Sequence, residues 1–355
     1  MRKPVLSLLL LLSLTITCSQ PQNYENYHVQ IPPAFELANI MVALTDFGKS
    51  DDNITKKNTE YHREVITHFE PFTDHKAIKK LNKLFSRTRN QNYYAYSNFR
   101  TGSYEAYFDE DQLKFNTILS YSSHFKRLKE QIEDFARETD FPKFYTKHKP
   151  LYEHYITQYK RYIPVSDMWS WMESEFPNRY QGYKIIMSPL IAGFHNTIDF
   201  ENTTMMFVNV PRNFVTGKSV DKTYEALMVR VVLTEIDHNY VNPVSKKWSA
   251  KISDTLADLS CWNQSQGGYN SAQLTFNEYM TWAVFSLYLR EKYDNEVFEK
   301  VNENQARFMV ERRGFVQFTD FNDYLLALYA QKQPHQKIPD LYPQAIKWFS
   351  EQDCK

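Results

Sequence analysis

Glycine is nearly missing from this chain, with 8 in 355 residues, and the shortage narrows what the protein can be. It has no glycine-rich phosphate loop, which excludes the nucleotide-binding architectures built on one. It also has no G-x-S-x-G elbow, which removes a common serine-hydrolase layout. The three cysteines, Cys18, Cys261 and Cys354, are too few for a closed tetrahedral cysteine site. Neither Cys261 nor Cys354 has the motif context of a nucleophile. Net charge is absent too: 42 basic and 42 acidic residues balance, so no global field draws in nucleic acid or an anionic surface. No internal repeat marks a solenoid. Aromatics are what the chain has in plenty, 25 Tyr and 25 Phe, set among helix-compatible residues. That composition points to a helix-rich globular body.

The chain begins "MRKPVLSLLLLLSLTITC". Arg2 and Lys3 precede a leucine-rich run from Val5 to Leu14 that is too short to span a bilayer and fits an export signal. Cys18 at its end resembles the lipobox of bacterial lipoproteins, in which the cysteine is acylated and anchors the chain to the membrane. Thr15-Ile16-Thr17 matches that pattern loosely, so a cleaved secretory form stands beside the lipid-anchored one. Either form is exported to the cell envelope. Residues 1–18 are thus expected to be a signal peptide, 19–30 a polar tether and 31–355 a single domain. That domain divides into a helical half, 31–180, and a motif-bearing half, 181–355. Cys261 and Cys354 could pair in an oxidising envelope.

Along the body, "AFELANIMVALT" has helical apolar spacing after two prolines. Residues 59–90 continue in helical fashion with an interruption at Pro71. "NQNYYAYSNF" reads as a loop or short strand, and 108–162 as two or three amphipathic helices broken at Phe141-Pro142. "YKIIMSPLIAG" and "TTMMFVNVP" are β-flavoured runs bounded by Gly, Asn and Pro. The "GFHNTIDFEN" between them is a turn-rich connection carrying His195. Asp221 caps a helix expected from about Lys222 to Tyr240 and ended by Asn242-Pro243, and the remainder is helical. The fold class is therefore α+β and predominantly helical. A strand pair leading into a motif helix is the layout of zincin-type peptidases, by analogy of architecture.

The motif is "LTEIDHNYVNP". Glu235 and His238 are three apart and share a helix face with Leu227, Val231 and Thr234. A carboxylate in an apolar stripe needs a pair, a hydrogen bond or a metal. In H-E-x-x-H two histidines hold zinc and the glutamate activates the metal-bound water, but here Thr234 stands where the first histidine would be. The bland alternative is a satisfied buried acid–histidine pair. Downstream, "FNEYMTWAVFSLYLR" opens with Glu278, an acid that a helix N-terminus would favour without any metal. The aromatic clusters, including "DMWSWMESEF", read mainly as core packing.

Taken together, the lipoprotein-like start, "SPLIAG", "LTEIDHNYVNP" and "FNEYMTWAV" resemble a bacterial envelope lipoprotein family of unknown function, DUF4932-like. That family is itself similar to glutamate-zincin metallopeptidases. The resemblance implies a zincin-like scaffold with a small sheet and an active-site helix. It also implies Glu235 as general base, His238 and Glu278 as zinc ligands, and a peptide or protein substrate. With Thr234 in place, three readings stay open. A further ligand re-completes the site, His195 being the first choice, with Asp237 weaker because it points about 100° around the helix, and His68 and His75 outside candidates. Alternatively Glu235 itself becomes a ligand. Or the chain is a silent pseudo-peptidase that binds peptide or glycan, with Glu235 and His238 bonded to each other and Thr234 capping them.

Overall fold

The computed structural model describes residues 22–104, 108–109, 114–115, 123–200, 202–264 and 268–352. The signal segment with Cys18, and Cys354, lie outside the described residues. Cys261 is disulfide-bonded.

The first half is helical. It runs through α1 (Pro33–Ala43), α2 (Asp46–Ser50), α3 (Glu60–Phe69), α4 (Lys76–Leu84), α5 (Arg89–Tyr104), α6 (Ser123–Glu138), α7 (Phe141–Tyr162) and α8 (Val165–Glu175). Pro33 at the start of α1 and Pro142 at the start of α7 sit where a missing N–H costs nothing. Between α6 and α7, Asp140 adopts a left-handed conformation, φ 51, which makes the break expected at Phe141-Pro142. Two expectations fail here. "NQNYYAYSNF" belongs to α5, because Asn92, Ala95, Tyr96, Phe99 and Ser103 are buried at helical spacing and packing outweighs the polar composition. Part of 108–162 is a short antiparallel ladder, β2 (Phe108–Asp109) with β3 (Lys114–Phe115). The aromatic cluster of α8 is core as expected, with Trp169 and Trp171 both buried.

The four-stranded sheet has the order β1-β4-β6-β5, made of β1 (Tyr27–Gln30), β4 (Gly182–Ser188), β5 (Asn196–Phe200) and β6 (Thr203–Asn209). β4 runs parallel to β1 and to β6, while β5 returns antiparallel on β6 as the outer strand. The segment expected to be a tether therefore ends as a strand, Tyr27 opposite Tyr183. The connection expected to be turns contains β5, whose half-covered residues give the sequence little alternation to read. β4 and β6 are apolar on both faces because α1 packs on β4 and α10 on β6.

The second half contains α9 (Arg212–Thr216), α10 (Lys222–Ile236), α11 (His238–Lys247), α12 (Ser249–Thr255), α13 (Ala272–Lys292), α14 (Asn295–Arg307), α15 (Phe318–Ala330) and α16 (Tyr342–Glu351). α13 packs against α10 and α11 on one side and α15 on another. Its residues from Thr275 to Leu289 are all buried, as an all-round apolar helix requires. The result is a predominantly helical α+β body with a small sheet.

Candidate functional site

The expected motif helix is two helices. Asp221 caps α10, accepting from the Tyr224 N–H at 2.7 Å, but α10 ends at Ile236 and α11 restarts at His238. Asp237 is the joint. Its N–H still donates to Leu233 at 2.8 Å, and its carbonyl receives Tyr240 and Val241 at 2.9 and 2.7 Å. Glu235 thus closes one helix and His238 opens the next. Pro243 does not end the second helix but lies inside it. Its missing N–H frees the Asn239 carbonyl, which accepts instead from the Tyr180 hydroxyl at 2.9 Å and Asn178 Nδ2 at 3.3 Å.

Glu278 sits nearly two turns into α13, whose true cap is Ser271. The macrodipole acts within the first turn, so it does not account for this buried acid. Glu278 Oε1 accepts from Arg313 Nη2 at 2.6 Å and from the Trp282 indole at 2.9 Å. Its Oε2 lies 4.0 Å from His238 Nε2. Arg313 comes from the turn after a π-helical segment, Phe308–Arg312, where Gly314 takes φ 74 and lets the chain reverse. Arg313 also donates to the Tyr269 hydroxyl and lies 4.9 Å from the Trp282 ring centre. Arg230 lies 5.3 Å from the same ring centre, held by Asn304 at 3.2 Å. Burial, and then repulsion from Arg313, lower Arg230 to about 10.

The two remaining acids are not comfortably charged. Burial, reinforced by the Glu278 charge, lifts Glu235 to about 8, against the opposing pull of Arg313 and Arg100. Asp237 is fully buried with no hydrogen-bond partner on either carboxyl oxygen. Burial, then Glu278 and Glu235, push it well above the carboxylate range. For a carboxyl in such surroundings the neutral form is the cheaper one.

The structure brings Glu235, His238 and Glu278 into one region. Among the described residues no three His, Cys, Asp or Glu side chains form a group that could hold a metal ion. His195 lies beside Arg100. Burial and that guanidinium lower it to about 3. Arg100 is itself buried, donating to Tyr96 and to the Phe194 carbonyl, both at 3.1 Å. His68 bonds the Thr139 carbonyl at 2.7 Å, and His75 caps α4 by accepting from Ala77, so both are structural. Thr234 does not cap an acid–histidine pair: its hydroxyl donates to the Arg230 carbonyl at 2.8 Å. Nor does a hydrogen bond join Glu235 to His238 among the described residues.

Zinc therefore fits these residues poorly. A catalytic site takes three protein ligands and an open position. Here one oxygen of the acidic ligand is taken by a guanidinium, which would also repel a dication. The missed participants are Arg100, Arg230 and Arg313. Single arginines scattered over more than two hundred residues have no spacing to detect. The one available clue was Arg313 just before Gly314, a turn pair inside a helical stretch.

A family model described as a domain of unknown function, DUF4932, matches residues 28–347. The chain belongs to that family. The match takes in the sheet except Tyr27, α10 to α15 and every residue of the site just described. No curated protein and no solved structure matches the chain.

Proposed function

We propose that this DUF4932 chain is an exported, lipid-anchored envelope protein of metallopeptidase-like ancestry that binds peptide or glycan chains without cleaving them. The observation that carries this reading is the Glu278–Arg313 pair at 2.6 Å: a protein cation sits on the acid that a metal would need. The surroundings suit a chain-like ligand. Trp282 and Phe308 stack with centres 5.6 Å apart, Tyr269 lies under Arg313, and Phe308 and Leu274 are exposed beside them. Aromatic faces with arginines are a common basis of recognition for both ligand classes.

A second reading, zinc-dependent peptide hydrolysis, draws support from His238 facing the other oxygen of Glu278 at 4.0 Å. It requires Arg313 to withdraw and a third ligand to arrive. Pull-down on peptidoglycan sacculi and on an immobilised peptide library, with and without EDTA, separates the two. Retention that survives EDTA, yields no cleavage product and falls at least tenfold in Trp282→Ala is the expected result. EDTA-sensitive cleavage would instead establish the hydrolase.

A further inference from the structure

A cavity of about 200 Å³ lies between the end of β6, the start of α9, the last turns of α7 and the first turns of α10. Its walls include Val208, Leu227, Met228 and Val231, none of which belongs to the Glu278 centre. One polar group in it is left over. Tyr159 lines the cavity from α7, is 1% exposed, and its hydroxyl has no hydrogen-bond partner. Two other polar lining groups have partners: Tyr224 accepts from the Asn213 N–H at 3.0 Å, and Asn209 donates to the Ala192 carbonyl at 2.8 Å. Buried hydroxyls without partners are uncommon and ask for an explanation.

The rim adds charge. Arg212 lines the cavity, is exposed, and forms no ion pair among the described residues. Lys56, bonded to the Val210 carbonyl at 2.7 Å, is a second cation near Arg212, close enough to feel its charge. An apolar cavity of about 150 Å³ is large enough to admit benzene, so this one accepts a substituted ring or a short branched chain.

We propose that this cavity binds a small amphipathic carboxylate. Its ring fills the apolar walls, one hydroxyl or carbonyl at its inner end meets Tyr159, and its carboxylate rests on Arg212. The proposal uses none of the residues of the binding reading above and stands independently of it.

Calorimetric titration of the purified full chain tests it. The probes are 4-hydroxyphenyl carboxylates with one, two or three methylenes, their phenyl analogues, and the corresponding hydroxyphenyl alcohols. At least one hydroxyphenyl acid should bind about tenfold or more tighter than its phenyl analogue, since a site with a buried polar group discriminates against a ligand that leaves it unpaired. Tyr159→Phe, which keeps the ring and the fold, should erase that preference. Arg212→Gln should weaken the acids several-fold and leave the alcohol unchanged. Val231→Trp, which fills the cavity, should abolish binding, with circular dichroism verifying that the variant is folded. No saturable binding of any probe, or binding indifferent to Val231→Trp in a folded variant, would overturn the proposal.

Discussion

Glu278 and Glu36 are both buried carboxylates bonded by aromatic side chains, yet the protein treats them in opposite ways. Glu278, on α13, has a guanidinium at 2.6 Å as well as the Trp282 indole. Glu36, on α1, has the Tyr61 hydroxyl at 2.7 Å, itself linked to Tyr152 at 2.6 Å, and no basic side chain pairs with it among the described residues. Burial lifts Glu36 to about 7 against the opposing hydrogen bonds of Tyr61 and Ser188. A buried acid is thus either paired with a cation, as Glu278 is, or left without one, which favours its neutral form. The motif region follows the first course with arginine where a metalloenzyme would use a metal, and Asp237 next to it follows the second.

The contrast can be broken most severely at Arg313. Arg313→Met leaves Glu278 buried and uncompensated, and loss of one partner of a buried pair costs about 3–5 kcal/mol. Urea unfolding at neutral pH should show that loss with an unchanged m value. A loss below about 1 kcal/mol would place the pair among surface ion pairs.

Glu36 sharpens the contrast through pH. Its folded pKa lies above the unfolded value of 4.5, so its contribution is fully present below about pH 4.5 and is lost as pH rises through 7. The shift corresponds to about 3 kcal/mol. Glu36→Gln should remove that part of the slope between pH 4.5 and 7, and a slope identical to wild type would show that Glu36 is not its source.

A smaller effect tests the α10–α11 joint. Tyr180→Phe removes one of two donors to the carbonyl freed by Pro243, and thermal unfolding should register about 1 kcal/mol. No measurable change would mean that Asn178 suffices. The smallest effect is expected where sequence alone would expect the largest. Thr234→His restores H-E-x-x-H on paper, yet isothermal titration should find no tight zinc site while Arg313 holds Glu278. Nanomolar zinc binding in that single variant would contradict this.

Much of the helical body was legible because apolar spacing and proline positions report helices directly, as in α1 and at the start of α7. β4 and β6 were legible as apolar runs. β1 and β5 were not, since an outer strand with half-covered residues carries little period-two signal. α5 was hidden by its asparagines and tyrosines, although Tyr96 and Phe99 bury at helical spacing. At the site, Glu235, His238 and Glu278 were readable as neighbours because a motif and a downstream helix acid point at each other. His195 lies beside Arg100, a neighbour that closeness to a strand gave no means of foreseeing. The neutralising arginines come from three distant segments and become visible only when the chain is folded.

The most direct test is the zinc content of the full chain, purified without chelator and measured by elemental analysis beside His238→Ala. Far less than one equivalent of zinc in both, with melting unchanged by EDTA, is the result expected if Arg313 serves as the cation of this centre. One equivalent of zinc in the wild type, lost in His238→Ala, would contradict it.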